Sequence, residues 1–444
     1  MIGNSPNERQ KHLFLPNLTD FINLQHQLCL LADKIDWRQF ETDLAPFYAK
    51  VGTPAKPIRL MVGLLILKQI YNLDDETVMA EWISNPYFQY FCGAVVFQWK
   101  FPCDPSDLVH FRHRIGVEGV EQILAVSILL HGKAVVNEDV SIDTTVQPKN
   151  ITYPTDTKLA VRIIKQCRKI AEQEAVELRQ SYKFVETDLL KKANSKSQKQ
   201  AKAKKKARRK LKIIANRLVR ELKRKLNRES LSKQQEKIEI YERVLRQKKE
   251  DKNKIYSLHA VEVGCIAKGK ESKKYEFGSK VAFAVGQKSN VIKAAVSWTG
   301  NPNDNQTVEK TLLQQKKLTG ASPKKAFVDR GIKSRQVGET QIIAPSNGKG
   351  KTGAEKAKLR KSFRRRAGIE PIIGHVKSDC GMERNYLKGE IGDQINAILA
   401  ASAFNFRSWL RKAMENIILA LNYLQIVRRY GSHKPLAANW AEIS

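Results

Sequence analysis

Two acidic residues stand where an acid is costly unless something cationic compensates it, and a third is marked by helical spacing. Asp143 lies in a stretch where Val140, Ile142, Thr144 and Val146 alternate with Ser141, Asp143 and Thr145, a strand-like period of two. Asp329 closes the apolar run Ala326-Phe327-Val328, directly ahead of Arg330-Gly331. An ionised carboxylate in such a setting needs a cation or a partner. Glu370 belongs to helix-forming sequence in which Phe363, Arg366, Glu370, Gly374 and Lys377 share one face at about 100° per residue. Two carboxylates from neighbouring strands and a third from a helix make a hard-oxygen cage for two Mg²⁺ ions, with Mn²⁺ able to substitute. Two metals about 4 Å apart activate an attacking hydroxyl and stabilise the leaving oxygen of an in-line phosphoryl displacement. Arg366, one turn before the acid, and Lys377, two turns after it, are placed to hold phosphates. On geometry alone, a surface ion-pair ladder from Arg366 to Glu370 is the commoner explanation of such spacing. Pro371 removes a backbone donor next to Glu370 and favours a kink or a helix start there.

The elements that must position these acids are legible as patterns. Further strands are expected at Phe277 to Val285, Val291 to Thr299, Lys325 to Asp329 and Gln341 to Ala344, with a helix from Thr307 to Leu318 between two of them. That alternation predicts an α/β domain. It is interrupted after its first strand by about Lys158 to Lys254, rich in helix formers and free of Pro, with Asp156 as a cap. Leu211, Ile214, Leu218, Leu222 and Leu226 give one apolar stripe, Ile238, Tyr241 and Leu245 another, and a helical hairpin is the simplest picture. Between Lys191 and Arg228 there are 18 basic residues and one acid, Glu221. A solvated arm is the usual reading of such a run; with an apolar stripe, a basic helix laid along phosphates competes with it.

Ahead of the first strand the chain reads as helical. Ile58 to Ile70 carries apolar residues at helical spacing, Asp75 starts a second helix, Asn85-Pro86 stops it, and Ser106 caps a third. Leu108, Phe111 and Ile115 form that helix's apolar stripe, leaving Arg112 and Arg114 to project from it. Short helices joined by tight turns suit a helix-turn-helix-like DNA reader, against the plainer picture of a helical bundle with solvated arginines. After Tyr386, Ile395, Ile398, Leu399, Phe406 and Leu410, then Ile417, Ile418, Leu421 and Leu424, give helical packing faces.

Bulk composition narrows the function. The 444 residues carry 79 Lys and Arg against 45 Asp and Glu, a net charge of +34, which favours a polyanionic partner, nucleic acid first. An apolar fraction of 42% supports a buried core. The first ten residues are polar and show no secretory signal. Six cysteines without a C-x-x-C pair suggest free thiols in a reducing setting. Cys92, Cys103, His110 and His113 fit no common zinc spacing. Leu60 to Leu67 is too short to span a bilayer. His259, Glu262, Lys280 and Trp298 are secondary candidates for the site, with packing roles commoner.

Together these pieces resemble the transposases of bacterial insertion sequences, in the superfamily of insertion sequences four and five. That family shows an Asp in a first strand, an Asp before a small residue in a later strand, and a Y-x2-R-x3-E-x6-K helix. Here the helix reads Phe363-x2-Arg366-x3-Glu370-x6-Lys377, with Phe in the aromatic place. Val140 to Thr145 and Phe327 to Gly331 are similar to the two Asp motifs, Ile332 standing where an aromatic often follows. The run from Arg59 through Phe91-Cys92-Gly93 to Phe111-Arg112 is similar to the domain preceding the family's catalytic core.

The resemblance implies an α/β RNase H-like catalytic core with a helical N-terminal domain and a basic helical insertion. The corresponding divisions are 1–130 for DNA recognition, 131–157 and 255–385 for the two parts of the core, 158–254 for the insertion and 386–444 for C-terminal helices. It implies Mg²⁺-dependent cleavage and strand transfer at terminal inverted repeats, with target DNA as second partner. Asp143, Asp329 and Glu370 are then the catalytic and metal-binding residues, and Arg366, Lys377, Arg112 and Arg114 the DNA contacts. A homodimer in the bacterial cytoplasm, associated with the nucleoid and not with a membrane, is expected. A host nuclease or resolvase of the same fold is a second reading, to be decided by inverted repeats flanking the gene. A non-enzymatic, domesticated nucleic-acid-binding protein is a third, and it has no use for an acid cage.

Overall fold

A computed structural model describes residues 15–430 apart from 50, 53, 196–199, 249, 268–273 and 347–351, with side chains described as far as 415. Its first helices are α1 (Gln27–Lys34), α2 (Trp37–Leu44), α3 (Ile58–Ile70), α4 (Asp75–Ser84), α5 (Pro86–Phe91) and α6 (Pro105–Leu129). The apolar run of α3 is buried on nearly every side, as a helix without a polar face must be. Asp75 opens α4 as expected, and Asp74 caps it, its carboxylate accepting from the Thr77 amide at 2.6 Å. Asn85 ends α4 but also caps α5, accepting from the amides of Tyr87 and Phe88, with Pro86 where no backbone donor is needed. Asp104, not Ser106, caps α6, with Pro105 in the first position and Asp107 completing a capping box.

After α6 comes β1 (Val140–Pro148), then four helices, α7 (Asp156–Gln173), α8 (Lys183–Ala193), α9 (Ala201–Lys225) and α10 (Arg228–Arg246). The chain returns through β2 (Gly264–Ala267), β3 (Tyr275–Gly286), β4 (Ile292–Trp298), α11 (Asp304–Thr319), β5 (Lys325–Phe327), β6 (Arg335–Val337) and β7 (Thr340–Ile343). It ends in α12 (Gly353–Ala367), α13 (Ile369–Asp379) and α14 (Gly389–Tyr430). In the sheet, β3 pairs antiparallel with β1 on one side and with β2 and β4 on the other. Beyond β1, β5 and then β7 run parallel, and β6 closes the edge antiparallel. The short strands β2 and β6 were not expected from the sequence.

Both faces of the sheet are covered. Val140 and Ile142 pack with Val308 and Leu312 of α11. On the other face Val281, Phe283 and Ile292 share one core with α3, α6, α13 and the middle of α14. The N-terminal helices are therefore built onto the sheet instead of forming a separate globule. Asn405 of α14 fastens this junction: its amide accepts from Ile292 N–H and donates to Ile292 C=O, both at 2.9 Å, and to Ser127 Oγ at 3.0 Å.

His131, half-buried, places Nε2 3.1 Å from the Asn405 carbonyl, and burial pulls its pKa down to about 4. Between that value and the ordinary 6.5 the unfolded chain binds a proton that the native one does not, so stability falls as pH drops through this window. The contribution is at most about 3 kcal/mol. His131→Gln, which keeps a donor but cannot charge, is expected to flatten the loss between pH 6.5 and 4 in urea melts; an unchanged acid limb would remove His131 as its source.

The four helices between β1 and β2 have a core of their own. Leu211, Ile214, Leu218 and Leu222 of α9 are buried against Leu159, Ile163 and Cys167 of α7, Leu189 of α8 and Ile238 and Tyr241 of α10. This corrects the helical hairpin: the α9 stripe shares its core with α7 and α8 as well as with α10. Thr155, not Asp156, caps α7 by accepting from Lys158 N–H. The faces expected at Ile417, Ile418, Leu421 and Leu424 lie outside the described side chains.

Candidate active site

The two aspartates are brought together by strand register. β1 and β5 run parallel with Val140 beside Ala326 and Ser141 beside Phe327. Continued two residues past the paired ones, the same offset leads Asp143 towards Asp329, and one nitrogen of Arg366 lies within 4 Å of both carboxylates. Asp143 Oδ1 accepts from the Thr144 amide at 2.7 Å. Asp329 lies just past β5 in a turn closed by Ile332 N–H to Asp329 C=O, and its Oδ1 accepts from the Arg330 amide at 2.7 Å.

The third acid arrives differently from the expected single helix face. The chain breaks at Gly368, so Phe363 and Arg366 belong to α12 while Glu370, Gly374 and Lys377 belong to α13. Pro371 explains the break. Inside a continuous helix its ring would meet the carbonyl of Ala367; as third residue of α13 its missing N–H falls in the first turn, which has no acceptors for such donors.

α12 has no buried residue. It is held to the sheet by the Phe363 ring, edge-on to Phe327 at 5.6 Å, and by Gln287, whose Nε2 donates to the Ser362 carbonyl (3.2 Å) and to Ser141 Oγ (2.9 Å). These contacts aim Arg366 at the aspartates. Its Nη2 lies 3.2 Å from Asp143 Oδ2 and 3.8 Å from Asp329 Oδ1. The ladder to Glu370 does not form; Glu370 is exposed and has no ion pair among the described residues.

Burial raises the Asp143 carboxyl above its ordinary pKa, Arg366 and the Thr144 amide oppose this, and the charges of Asp329 and Glu370 push it up again. Asp143 thus feels the charge of both other acids. Among the described residues no three His, Cys, Asp or Glu side chains form a ready metal-holding group. The three carboxylates nevertheless offer hard oxygens on three separate elements, with a guanidinium supplying positive charge between two of them, and oxygens of this kind suit a divalent ion.

The other expected contacts divide. Arg112 is a correction: it is buried, and its Nη1 and Nη2 grip Asp75 at 2.8 and 2.6 Å, with Lys68 on the same carboxylate at 2.7 Å. One turn after Leu108, it faces α4 and not solvent. Arg114 is exposed, its guanidinium 4.8 Å from the Tyr48 ring centre. Lys377 lines a cleft of about 1700 Å³ between the N-terminal helices and the start of α14, together with His113, Arg384, Tyr386 and Lys388.

Lys280 is buried, bonded to Asn301 Oδ1, the Pro302 carbonyl and Asp304. Thr144 Oγ1 donates to Asp304 Oδ1 at 3.0 Å, so this cluster ties the start of α11 to β1. Glu262 pairs with buried Lys149 at 2.9 Å, and His259 Nδ1 meets Ser257 Oγ at 3.0 Å. Trp298 is half-buried at the end of β4. Sequence reading missed the exposed cations of α12, Lys356, Lys358, Arg360, Lys361, Arg364 and Arg365, although the run Lys356 to Arg366 advertises them.

Known families match two stretches of the chain, which leave out β1. Residues 16–114 match the family described as Transposase domain (DUF772), and residues 244–406 match Transposase DDE domain. A Rhizobium meliloti protein, described as uncharacterized protein ORF8 in nfe locus, is 40% identical over 201 residues, covering 44% of this chain and 95% of that protein. No solved structure matches. No helix among the described residues is long and apolar enough to cross a membrane. The DDE match accounts for the mixed sheet as an RNase H-like α/β core preceded by helices, for DNA as the partner and for divalent-metal chemistry of the kind general to the family. The chain belongs to the DDE transposases of bacterial insertion sequences, and it is an enzyme of DNA transposition.

Proposed function

We propose that Asp143, Asp329 and Glu370 are the catalytic carboxylates and that they hold two Mg²⁺ ions. The observation that carries this is the β1–β5 register, which leads Asp143 towards Asp329 with Glu370 near enough to perturb Asp143. The bound ions would supply activation of the attacking oxygen and stabilisation of the leaving one. The chain's own groups do the positioning. The Thr144 and Arg330 amides orient the two aspartates, Phe363 and Gln287 fix α12 against the sheet, and Lys377 holds a phosphate beside the scissile one. No side-chain nucleophile is required, since water and then a DNA 3′-hydroxyl attack phosphorus.

The substrates in this reading are the element's terminal inverted repeats and a target duplex, handled by a homodimer at the nucleoid, in the manner of insertion sequences four and five. The N-terminal helices read the ends, with Arg114 as a contact; buried Arg112 shapes that surface without touching DNA. Helices α7–α10 are a basic insertion between the two parts of the core, with α9 laid along phosphates.

Cleavage of the element's own ends with and without Mg²⁺ tests the reading, and Lys377 sharpens it. Lys377 lies seven residues after Glu370, about 10 Å along α13, too far to touch the metals. Lys377→Ala is expected to leave Mg²⁺ titration unchanged and to slow single-turnover cleavage about tenfold or more, the worth of one charged hydrogen bond. Lys377→Arg should retain more activity, because the charge survives. Normal cutting by the alanine variant would make Lys377 a surface residue; lost metal binding would place it at the metals.

A further inference from the structure

We propose that Arg366 is a built-in counter-ion that occupies the metal position in the DNA-free enzyme and is drawn off by a DNA phosphate, so that metal loading follows DNA binding. The inference rests on the reading of Asp143 and Asp329 as metal ligands. Three features carry it.

The first is position. One guanidinium nitrogen, Nη2, contacts both carboxylates, at 3.2 and 3.8 Å. A magnesium ion needs its oxygens at about 2.0–2.1 Å, so ion and guanidinium cannot share the place. The second is incomplete bonding. Arg366 Nε is buried and has no hydrogen-bond partner among the described residues. Arginine satisfies carboxylates best through a planar two-pronged fork; here one nitrogen serves two acids and Nε serves none. The contact is held by charge more than by geometry, and a competing anion can replace it. The third is freedom to move. Arg366 is in the last turn of a helix without buried residues, anchored through Phe363 and the Ser362 carbonyl, and the break at Gly368 separates it from α13. Its helix carries further exposed cations, Arg360, Arg364 and Arg365, so an arriving phosphate backbone meets a surface on which Arg366 finds a new partner.

Charge balance then sets the order of events. Without DNA, the guanidinium offsets the repulsion between the acids and weakens the pull on a cation. With DNA, Arg366 turns to phosphate, and the bare carboxylates bind the ion more tightly. The consequence is that metal is held firmly only when a DNA phosphate is present.

The test is Mn²⁺ titration of the full-length protein by paramagnetic resonance, with and without a duplex carrying the terminal repeat, for wild type, Arg366→Gln, Arg366→Lys, Asp143→Asn and Asp329→Asn. Without DNA, Arg366→Gln is expected to bind Mn²⁺ about tenfold tighter than wild type, since a cation beside a carboxylate shifts its charge balance by at least that factor. Arg366→Lys should lie between. Adding the duplex should tighten Mn²⁺ binding to wild type by a similar factor, and Mn²⁺ should tighten duplex binding equally, as linkage requires; Arg366→Gln should lose both couplings. If Arg366→Gln binds Mn²⁺ no tighter than wild type while the Asn variants weaken binding, the counter-ion role is wrong and the ligand assignment stands. If the Asn variants also leave Mn²⁺ binding unchanged, the ligand assignment fails with it. Thermal melts confirm that every variant is folded.

Discussion

Asp143→Asn, Asp329→Asn and Glu370→Gln are each expected to abolish Mg²⁺-dependent cleavage of the element's ends while leaving affinity for those ends largely intact. Removing one carboxylate from a shared cage costs charge and a ligand together, and an effect on the order of 10³-fold or more, about 4 kcal/mol of barrier, is expected. Folding should survive. The Asp329 side chain is 68% exposed and Glu370 is also exposed, so their amides meet water. Asp143 is 23% exposed, and an isosteric amide can still accept from the Thr144 amide. Its loss of charge leaves Arg366 paired only with Asp329, a modest cost beside the loss of metal. Single-turnover cleavage, end binding and thermal melts on the three variants separate these effects. Near wild-type cleavage by any one of them would remove that residue from the site.

The second large effect is expected at α9. Lys202, Lys205, Lys206, Arg209, Lys210 and Lys212 are exposed, and none of their side chains has a hydrogen-bond or ion-pair partner among the described residues. Cations without partners on a helix whose other face is buried are placed to meet a linear array of phosphates. Changing all six to Gln should lower the salt slope of log K by about 0.9 for each that touches DNA, and weaken binding at low salt on the order of 10³-fold if most do. Preference for the terminal repeat over random duplex should remain, because backbone contacts position without reading sequence. Deleting the segment would be a poorer test, since α9 supplies Leu211, Ile214, Leu218 and Leu222 to the core of its four-helix unit. An unchanged slope would exclude α9 from DNA. A kept slope with lost preference would mean that it reads bases.

What could be read in advance, and what could not, divides along local and non-local lines. Asp143 was visible because a strand period of two exposes an acid among Val140, Ile142 and Val146, and Asp329 because it ends an apolar run. That the two come together depends on parallel pairing of β1 with β5 across all the intervening chain, which no local pattern encodes. The α9 stripe was plain at helical period, yet its partners on α7 and α8 were not, hence the hairpin expectation. Arg112 was misplaced because Leu108, Phe111 and Ile115 define a stripe without fixing its edges, and the deciding partner, Asp75, lies on another helix. Pro371 did announce the break after α12. Where Arg366 would then point depended on Phe363 meeting Phe327 and on Gln287 reaching Ser362, both tertiary contacts.

The core that α3, α6 and α14 share with β3 and β4 bears on how finely the enzyme can measure. A reader joined to a cutter by about ten flexible residues has a mean reach of roughly 17 Å, whereas successive nucleotides on a strand are only roughly 3.4 Å apart. Such a device would scatter its cuts over several base pairs. For a reader built on the N-terminal helices, as proposed, packing replaces the tether: Asn405 clamps Ile292 of the sheet and Ser127 of α6 in one grip. The distance from recognised base to carboxylates is then set like the gap of a caliper, by solid contact. Single-nucleotide accuracy at an element's end would follow from the interior of the protein more than from its DNA-facing surface.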